Sequence, residues 1–488
     1  MKFSVPITTL ILVLPTFAKA EGGSITYSRD IAPLLQQKCI ECHREGGGGP
    51  FSLVSYRDVS RKAKTILRVV ESRYMPPWHA VGGDIPLEGD RRLAQNEIAT
   101  IKAWLEADKP EGDPGDLPPP RQFAKGWFLG EPDLVVSMAK AYALPADGSD
   151  IYRNFVVPTG LKKKKYLRAI EFRPGTPEVV HHALLFVDES GKARRADAKD
   201  EMPGFGEMPI DAAGGRQIGG WVPGATPRLL PEGLAHAMSA GSDIVIQTHF
   251  HLTGKPETEK STLGLYFTDE PPKKEFTAIQ IPPLFGAFSG VDLLPGEDHV
   301  EIQDAFELPV PVHAFGAHAH AHYRGKSLRM VAKLASGESL TLLNIPEWDM
   351  DWQEDYRFSE PVFLPAGTWL NVDVAWDNSA ESSDNPVVPP VRVRWGFESL
   401  DEMGSIDLFV VPAGQARENR ARMKTLRTAY REHLVWTAGE HVLRPEKLAI
   451  FGELRQNAIA RFDEDGDGKL GYREREVAKA ALREVQLP

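Results

Sequence analysis

The chain has two cysteines, and both fall in Cys39-Ile40-Glu41-Cys42-His43. Thiols at this spacing can add to the two vinyl groups of a haem, and the histidine that follows then lies beneath the iron. The competing reading is a thioredoxin-like dithiol. A c-type haem ordinarily takes a second axial ligand from a later Met or His. In Arg73-Tyr74-Met75-Pro76-Pro77-Trp78-His79 the preferred candidate is Met75, because a thioether raises the potential of an electron-transfer haem, and His79 is its competitor. Haem c would thus be held by Cys39, Cys42, His43 and Met75.

Further along, the histidines are grouped. His181 and His182 open the run His181-His182-Ala183-Leu184-Leu185-Phe186, His249 and His251 sit in Gln247-Thr248-His249-Phe250-His251, and His318, His320 and His322 alternate through Ala317–Lys326. No cysteine is available there, so a metal would take imidazole, thioether or carboxylate ligands, a set that suits copper well and zinc acceptably. On a strand, residues i and i+2 share a face, so His320 and His322 can grip one ion, and so on geometry alone can His318 and His320. Adjacent His181 and His182 point to opposite faces of a regular strand and can share a metal only at a strand end or a bulge.

Near the C-terminus, Asp463, Asp465, Asp467, Gly468, Lys469 and Glu474 fit a twelve-residue EF-hand loop: carboxylates at positions 1, 3, 5 and 12, a glycine at the sharp turn and a backbone carbonyl from Lys469 at position 7. A lone loop of this kind suggests a structural calcium site.

The elements that must position these groups change along the chain. Met1-Lys2, the apolar run Ile7–Phe17 and Ala18-Lys19-Ala20 read as a secretory signal peptide over 1–20, too short to span a membrane. That predicts a periplasmic or secreted protein with no membrane span. At about 100–200 residues per domain, the rest suggests three or four domains. Helical patterns start at a capped Ser28-Arg29-Asp30 and cover Val59–Ser72 and Ala94–Ala107, predicting an α-helical haem domain over 21–115. Lys109–Gly115 and Pro118–Pro120 predict a segment without regular structure, with the linker placed at 116–125. Short alternating runs, among them Tyr166–Phe172, Asp243–His249 and Leu370–Ala375, predict two antiparallel β-sandwich domains over 126–275 and 276–412, broken near Pro271–Lys274. A helical tail with the EF-hand follows over 413–488, with helices at Arg417–His433 and Lys447–Arg461. The net charge of −11 argues against nucleic acid as a partner.

The order and wording of the histidine motifs resemble the ascorbate-dependent type II copper monooxygenases, the peptidylglycine α-hydroxylating and dopamine β-monooxygenase family. His181–Phe186 is similar to its paired-histidine motif, Ile244–His249 to the strand carrying the third histidine, Trp221–Pro227 and Leu230–Gly233 to the approach to that strand, His320–Lys326 to the H-x-H motif, and Ser399–Met403 to the segment supplying a methionine ligand. Over about 126–412 the resemblance implies two jelly-roll β-sandwiches, each with one copper, facing across a solvent-filled cleft. His181, His182 and His249 would hold an electron-transfer copper, and His320, His322 and Met403 the copper that binds dioxygen. His251 would be an accessory group. The arginine that anchors a peptide carboxylate in the amidating members is replaced by His318, which puts a glycine-extended peptide substrate in doubt.

The expectation is therefore a multidomain copper-dependent monooxygenase that hydroxylates a C–H bond of a small-molecule or peptide substrate. Its electrons would come through the fused c-type haem from a periplasmic donor, with ascorbate as an alternative external reductant. The rival is a periplasmic haem and copper protein for electron transfer or copper handling, without C–H chemistry.

Overall fold

The structure, a computed structural model, describes residues 24–45, 47, 49–123, 126–206, 216–287, 289–438, 460–462 and 477. The expected signal peptide, the helix Lys447–Arg461 apart from its last two residues, and the calcium loop with Asp463, Asp465, Asp467, Lys469 and Glu474 lie outside them. The described chain is mostly β-sandwich, with a few helices. It divides into two compact units: the chain up to Pro76 with Arg92–Arg121, and Pro77–Arg91 with the chain from Gln122 onward.

The first unit is helical. Its chain enters through a π-helical turn, Tyr27–Ile31, that runs into the helix Ala32–Lys38. The cap is Thr26 rather than Ser28: the Thr26 hydroxyl accepts the Arg29 N–H, and Asp30 returns a carboxylate to the Thr26 N–H at 2.7 Å. Ser28 is buried and donates its hydroxyl to the Glu111 carbonyl, so it is used for tertiary packing. The helix Tyr56–Glu71 buries Val59, Ala63, Ile66 and Val70, an i, i+4, i+7, i+11 stripe. The helix Gln95–Glu106 meets the same core with Ile98, Ile101 and Trp104.

The Pro/Gly-rich segment differs from expectation. Pro110 accepts N–H bonds from Tyr27 and from the Trp104 indole, Glu111 accepts from Ser28, and Pro114–Asp116 form a 3-10 turn. Its prolines cannot donate, but their carbonyls can accept, which pins the segment to the helices. Residues 77–91 differ too, because they belong with the second unit and not with the 21–115 helical domain. Trp78 and Ala80 join a sandwich core there, Val81, Asp84 and Glu88 donate backbone N–H bonds to Asn344, Thr341 and Arg357, and Arg91 pairs with Glu354.

The second unit contains two sandwiches. In the first, one sheet orders Leu134–Ser137, Thr262–Thr268, Lys165–Arg173 and His236–Met238, and the other Ile151–Pro158, Asp243–Phe250, Val180–Asp188 and Arg216–Trp221, all antiparallel. Leu167, Val180, Leu185, Ile244, Ile246 and Leu263 fill the space between them. In the second, one sheet orders Thr277–Ile281, Gly404–Pro412, Val312–Ala321 and Asp355–Leu364, and the other Val300–Glu307, Trp369–Trp376, Gly325–Lys333 and Ser339–Ile345. The helix Ala416–Ala438 includes the expected Arg417–His433. It is not a detached tail: Leu426 enters the second sandwich core, and Tyr430 donates its hydroxyl to the Gln280 carbonyl.

Leu234 of the first sandwich packs with Phe315 and Val411 of the second, and Phe276 lies 4.9 Å from the ring of His236. Burial holds His236 down to a pKa of about 3. The unfolded chain takes up this proton near pH 6.5, and the folded one does not. The His236 contribution is therefore complete above pH 6.5 and is lost as pH falls toward 3, on the order of a few kcal/mol in all. We expect His236→Phe to flatten the fall in urea stability across that window. An unchanged pH profile would rule the group out.

Candidate metal centres

The paired histidines are placed by a strand irregularity. Strand Val180–Asp188 runs against Asp243–Phe250 with Val180 opposite Phe250 and His182 opposite His249, so His181 is the extra residue of a bulge. The bulge turns both adjacent side chains to one side. Ligand atoms of His181, His182 and His249 all lie within 4.8 Å of one another, an arrangement able to hold a metal ion. The Nδ1 atoms of His181 and His182 are 3.1 Å apart.

His249 is fully buried, stacked on Tyr152 at a ring separation of 4.2 Å. Its Nε2 lies 2.8 Å from Asp150 Oδ2, whereas its Nδ1 is buried with no hydrogen-bond partner. An orphaned ring nitrogen on a histidine whose ring centroid lies 4.7 and 4.9 Å from those of two other imidazoles is what a metal ligand requires, with the carboxylate holding the proton on the other nitrogen. Burial lowers the pKa of His249 and, far more, that of His182. Both are therefore neutral and able to ligate at ordinary pH. Asp150 Oδ1 also takes His251 Nδ1 at 3.2 Å, which makes His251 a partner of the carboxylate rather than a member of the triad. Against a burial that raises it, Asp150 is held down to about 2 by His249, His251 and Ser399.

The second set sits where Val312–Ala321 ends. His320 Nδ1 is 2.5 Å from Gln353 Oε1, and His322 Nδ1 is 3.1 Å from the Asp401 carbonyl. Both rings thus hold their Nδ1 protons on protein acceptors and leave Nε2 for a metal, the opposite choice from His249. Their centroids lie 5.3 Å apart. Burial is the main cause that puts His322 near pKa 4 and holds His320 well below an ordinary imidazole. His318 is drawn elsewhere: its Nδ1 lies 3.0 Å from Asp355, and despite burial that carboxylate raises its pKa. Ala321 pairs with Gly404 across the sheet, and Met403, which precedes Gly404, is buried.

Glu402 organises this corner. Fully buried, it accepts N–H bonds from His322, Arg324 and the Trp376 indole. Burial pushes its pKa up to about 8, against the pull of these donors and of the buried Arg324 guanidinium. Leaving a buried donor without its acceptor typically costs about 1–3 kcal/mol. We expect Glu402→Ala to lose that much in urea unfolding and Glu402→Gln, which keeps an acceptor, clearly less. Equal and small losses would refute the role.

The sequence reading missed Asp150, Tyr152, Asp351, Gln353, Ser399 and Glu402. Only Ser399 and Glu402 lay in a quoted motif. The others have no spacing relation to the histidines they touch. The two sandwiches meet beside the first histidine set: Ser399 Oγ of the second lies 3.3 Å from His249 Nε2.

In the first unit, Cys39 ends the helix Ala32–Lys38 and its carbonyl accepts the N–H groups of Cys42 and His43. His43 Nδ1 is 3.0 Å from the Phe51 carbonyl, leaving Nε2 as the free electron pair. A Cβ on Gly49 would stand 2.8 Å from His43 Nδ1, so only glycine fits over the ring. Burial pushes the Cys39 thiol up to about 12, whereas a thioredoxin-like nucleophile needs a lowered value. These residues fit an attached haem better than a dithiol. Met75 belongs to this unit, its N–H bonded to the Val69 carbonyl, while His79 belongs to the other, with Nδ1 3.1 Å from the Glu347 carbonyl.

No family model matches the chain, and no characterised protein matches its sequence. Among solved structures, it is similar to the major capsid protein P2 of bacteriophage PM2 at 9% identity, covering 54% of this chain and 98% of that one, with a TM-score of 0.20. A two-domain protein of unknown function from Bacteroides fragilis aligns at 11% identity over 56% and 94% of the two chains, TM-score 0.14. Likeness at this level carries no argument about fold or function. Among the described residues, no helix is long and apolar enough to cross a membrane.

Proposed function

We propose that this chain is an exported copper-dependent monooxygenase of the type II, ascorbate-dependent kind, with jelly-roll copper domains, a c-type cytochrome domain in front of them and a calcium-binding EF-hand behind. The observation that carries the reading is the inequality of the two imidazole sets. Three histidines converge, His249 among them with a buried Nδ1 that has no partner, whereas a histidine pair commits both Nδ1 atoms to protein acceptors and leaves Nε2, with the buried Met403 next in sequence to Glu402, which accepts the His322 N–H. A protein for copper carriage has no need of two different ligand sets, whereas a three-nitrogen site for storing an electron and a thioether site for dioxygen divide the work of a monooxygenase.

Bound copper would supply one-electron chemistry and dioxygen binding. The overall balance is R–H + O2 + 2 e⁻ + 2 H⁺ → R–OH + H2O, the electrons arriving singly from haem or ascorbate. The chain's own part is to keep His182, His249, His320 and His322 neutral, to fix their tautomers through Asp150, Gln353 and the Asp401 carbonyl, and to bury Met403. Copper-loaded protein, reduced and offered a panel of C–H substrates, should consume dioxygen with matching hydroxylated product. Protein that isolates with zinc at both sites and takes up no oxygen when reloaded with copper would refute the reading.

For the haem, Met75→Ala should remove the weak near-infrared sulfur-to-iron band of the oxidised protein, and His79→Ala should leave it intact. Loss of low-spin character in His79→Ala alone would overturn the assignment of Met75.

A further inference from the structure

The first histidine triad draws part of its hydrogen-bonded support from the other sandwich. His181 Nε2 lies 3.2 Å from Asp351 Oδ1. Asp351 stands in a turn of the second sandwich held by its own N–H to Asp349 Oδ1, by the Trp352 N–H to the Asp349 carbonyl, and by the Gln353 side chain to the Met350 carbonyl. The same turn offers Gln353 to His320. A second segment behaves alike. Ser399 is buried, 3.3 Å from His249 Nε2, 3.2 Å from Asp150 Oδ2 and 2.8 Å from the Tyr152 hydroxyl, and two residues on, the Asp401 carbonyl takes His322 Nδ1. Each short segment therefore touches one ligand of each set.

We propose that Asp351 is a positioning residue of the first metal site, supplied by the second sandwich: it fixes the His181 proton on Nε2 so that Nδ1 faces the metal, with Ser399 supporting the His249–Asp150 pair in the same way. The inference rests on the reading that His181, His182 and His249 hold copper. Carboxylate partners of ligating imidazoles set the tautomer and raise the basicity of the ligand nitrogen, and losing one typically costs about 10–100-fold in metal affinity. An ordinary half-exposed ion pair would contribute next to nothing to metal binding.

The test uses the full chain in a His322→Ala background, so that only the first site fills. Copper affinity is read by chelator competition, and the site by the copper hyperfine splitting in its paramagnetic resonance spectrum. Asp351→Ala is expected to weaken affinity about 10–100-fold and to change the splitting, Asp351→Asn to restore most of both because its carbonyl still accepts, and Ser399→Ala to act in the same direction. Haem absorbance and far-UV dichroism monitor folding, and Asp351→Asn keeps the test decisive should the alanine variant misfold. Unchanged affinity and splitting in both Asp351 variants would overturn the proposal while leaving the copper reading standing. Copper binding that survives His182→Ala in the same background would overturn the copper reading itself, and the proposal with it.

Discussion

Met403→Ile is expected to abolish oxygen-dependent turnover while leaving haem content, first-site copper and the fold in place. Isoleucine is close to methionine in volume, and volume-conserving core swaps usually cost less than about 1.5 kcal/mol. The buried position next to Gly404 should therefore stay packed. What is lost is the thioether, the soft group that favours the reduced metal. Outer-sphere partners of metal ligands cost about 10–100-fold when removed, so losing a ligand should exceed about 100-fold in the rate of substrate-dependent oxygen uptake. Oxygen-electrode traces of the copper-loaded variant check this. Full activity in Met403→Ile would move the ligand elsewhere, and Met330 is then next in line; it is buried in the second sandwich core.

The second large effect concerns the first site. His182→Ala should lose first-site copper, keep second-site copper and leave the haem reducible. Reoxidation of the reduced haem by dioxygen should slow by at least about 100-fold, and added ascorbate should not restore full turnover. The argument is chemical: His182 is kept neutral by burial and by its histidine neighbours, and its Nδ1 stands 3.1 Å from that of His181, so its loss opens the triad. Stopped-flow absorbance of the haem after mixing with oxygen reads the rate. Equal rates in wild type and variant would mean that electrons do not pass from haem to this site.

Of the candidate site, the ligand types were legible and their company was not. His320 and His322 are two residues apart on a strand, and the period of a strand puts such residues on one face whatever the fold around them. The condition for His181 and His182 to converge was also legible, because adjacent residues on a regular strand diverge, and the bulge that satisfies it is present. By contrast, the pairing of His318 with Asp355 was not legible, because the strand Asp355–Leu364 brings that carboxylate alongside. Sequence separation hides such a neighbour. The first-turn cap and the Pro/Gly-rich segment differ from expectation for a related reason: Tyr27 donates to the Pro110 carbonyl and Ser28 to that of Glu111 across more than eighty residues, which local propensity cannot register.

By itself, then, the sequence determined which chemistry is available: a pair of thiols with a histidine, grouped imidazoles without further cysteine, and alternating strands to carry them. Residue type and spacing suffice for that, since they set ligand softness and the face of an element on which a group stands. Only the tertiary structure decided which ring nitrogen each histidine commits to a protein partner, that residues 77–91 leave the helical unit for the second sandwich, and that Asp351 and Ser399 of one sandwich reach the histidines of the other. Each of these depends on a hydrogen bond or a packed contact between segments far apart in the chain, and such contacts exist only once the sheets have closed on their cores.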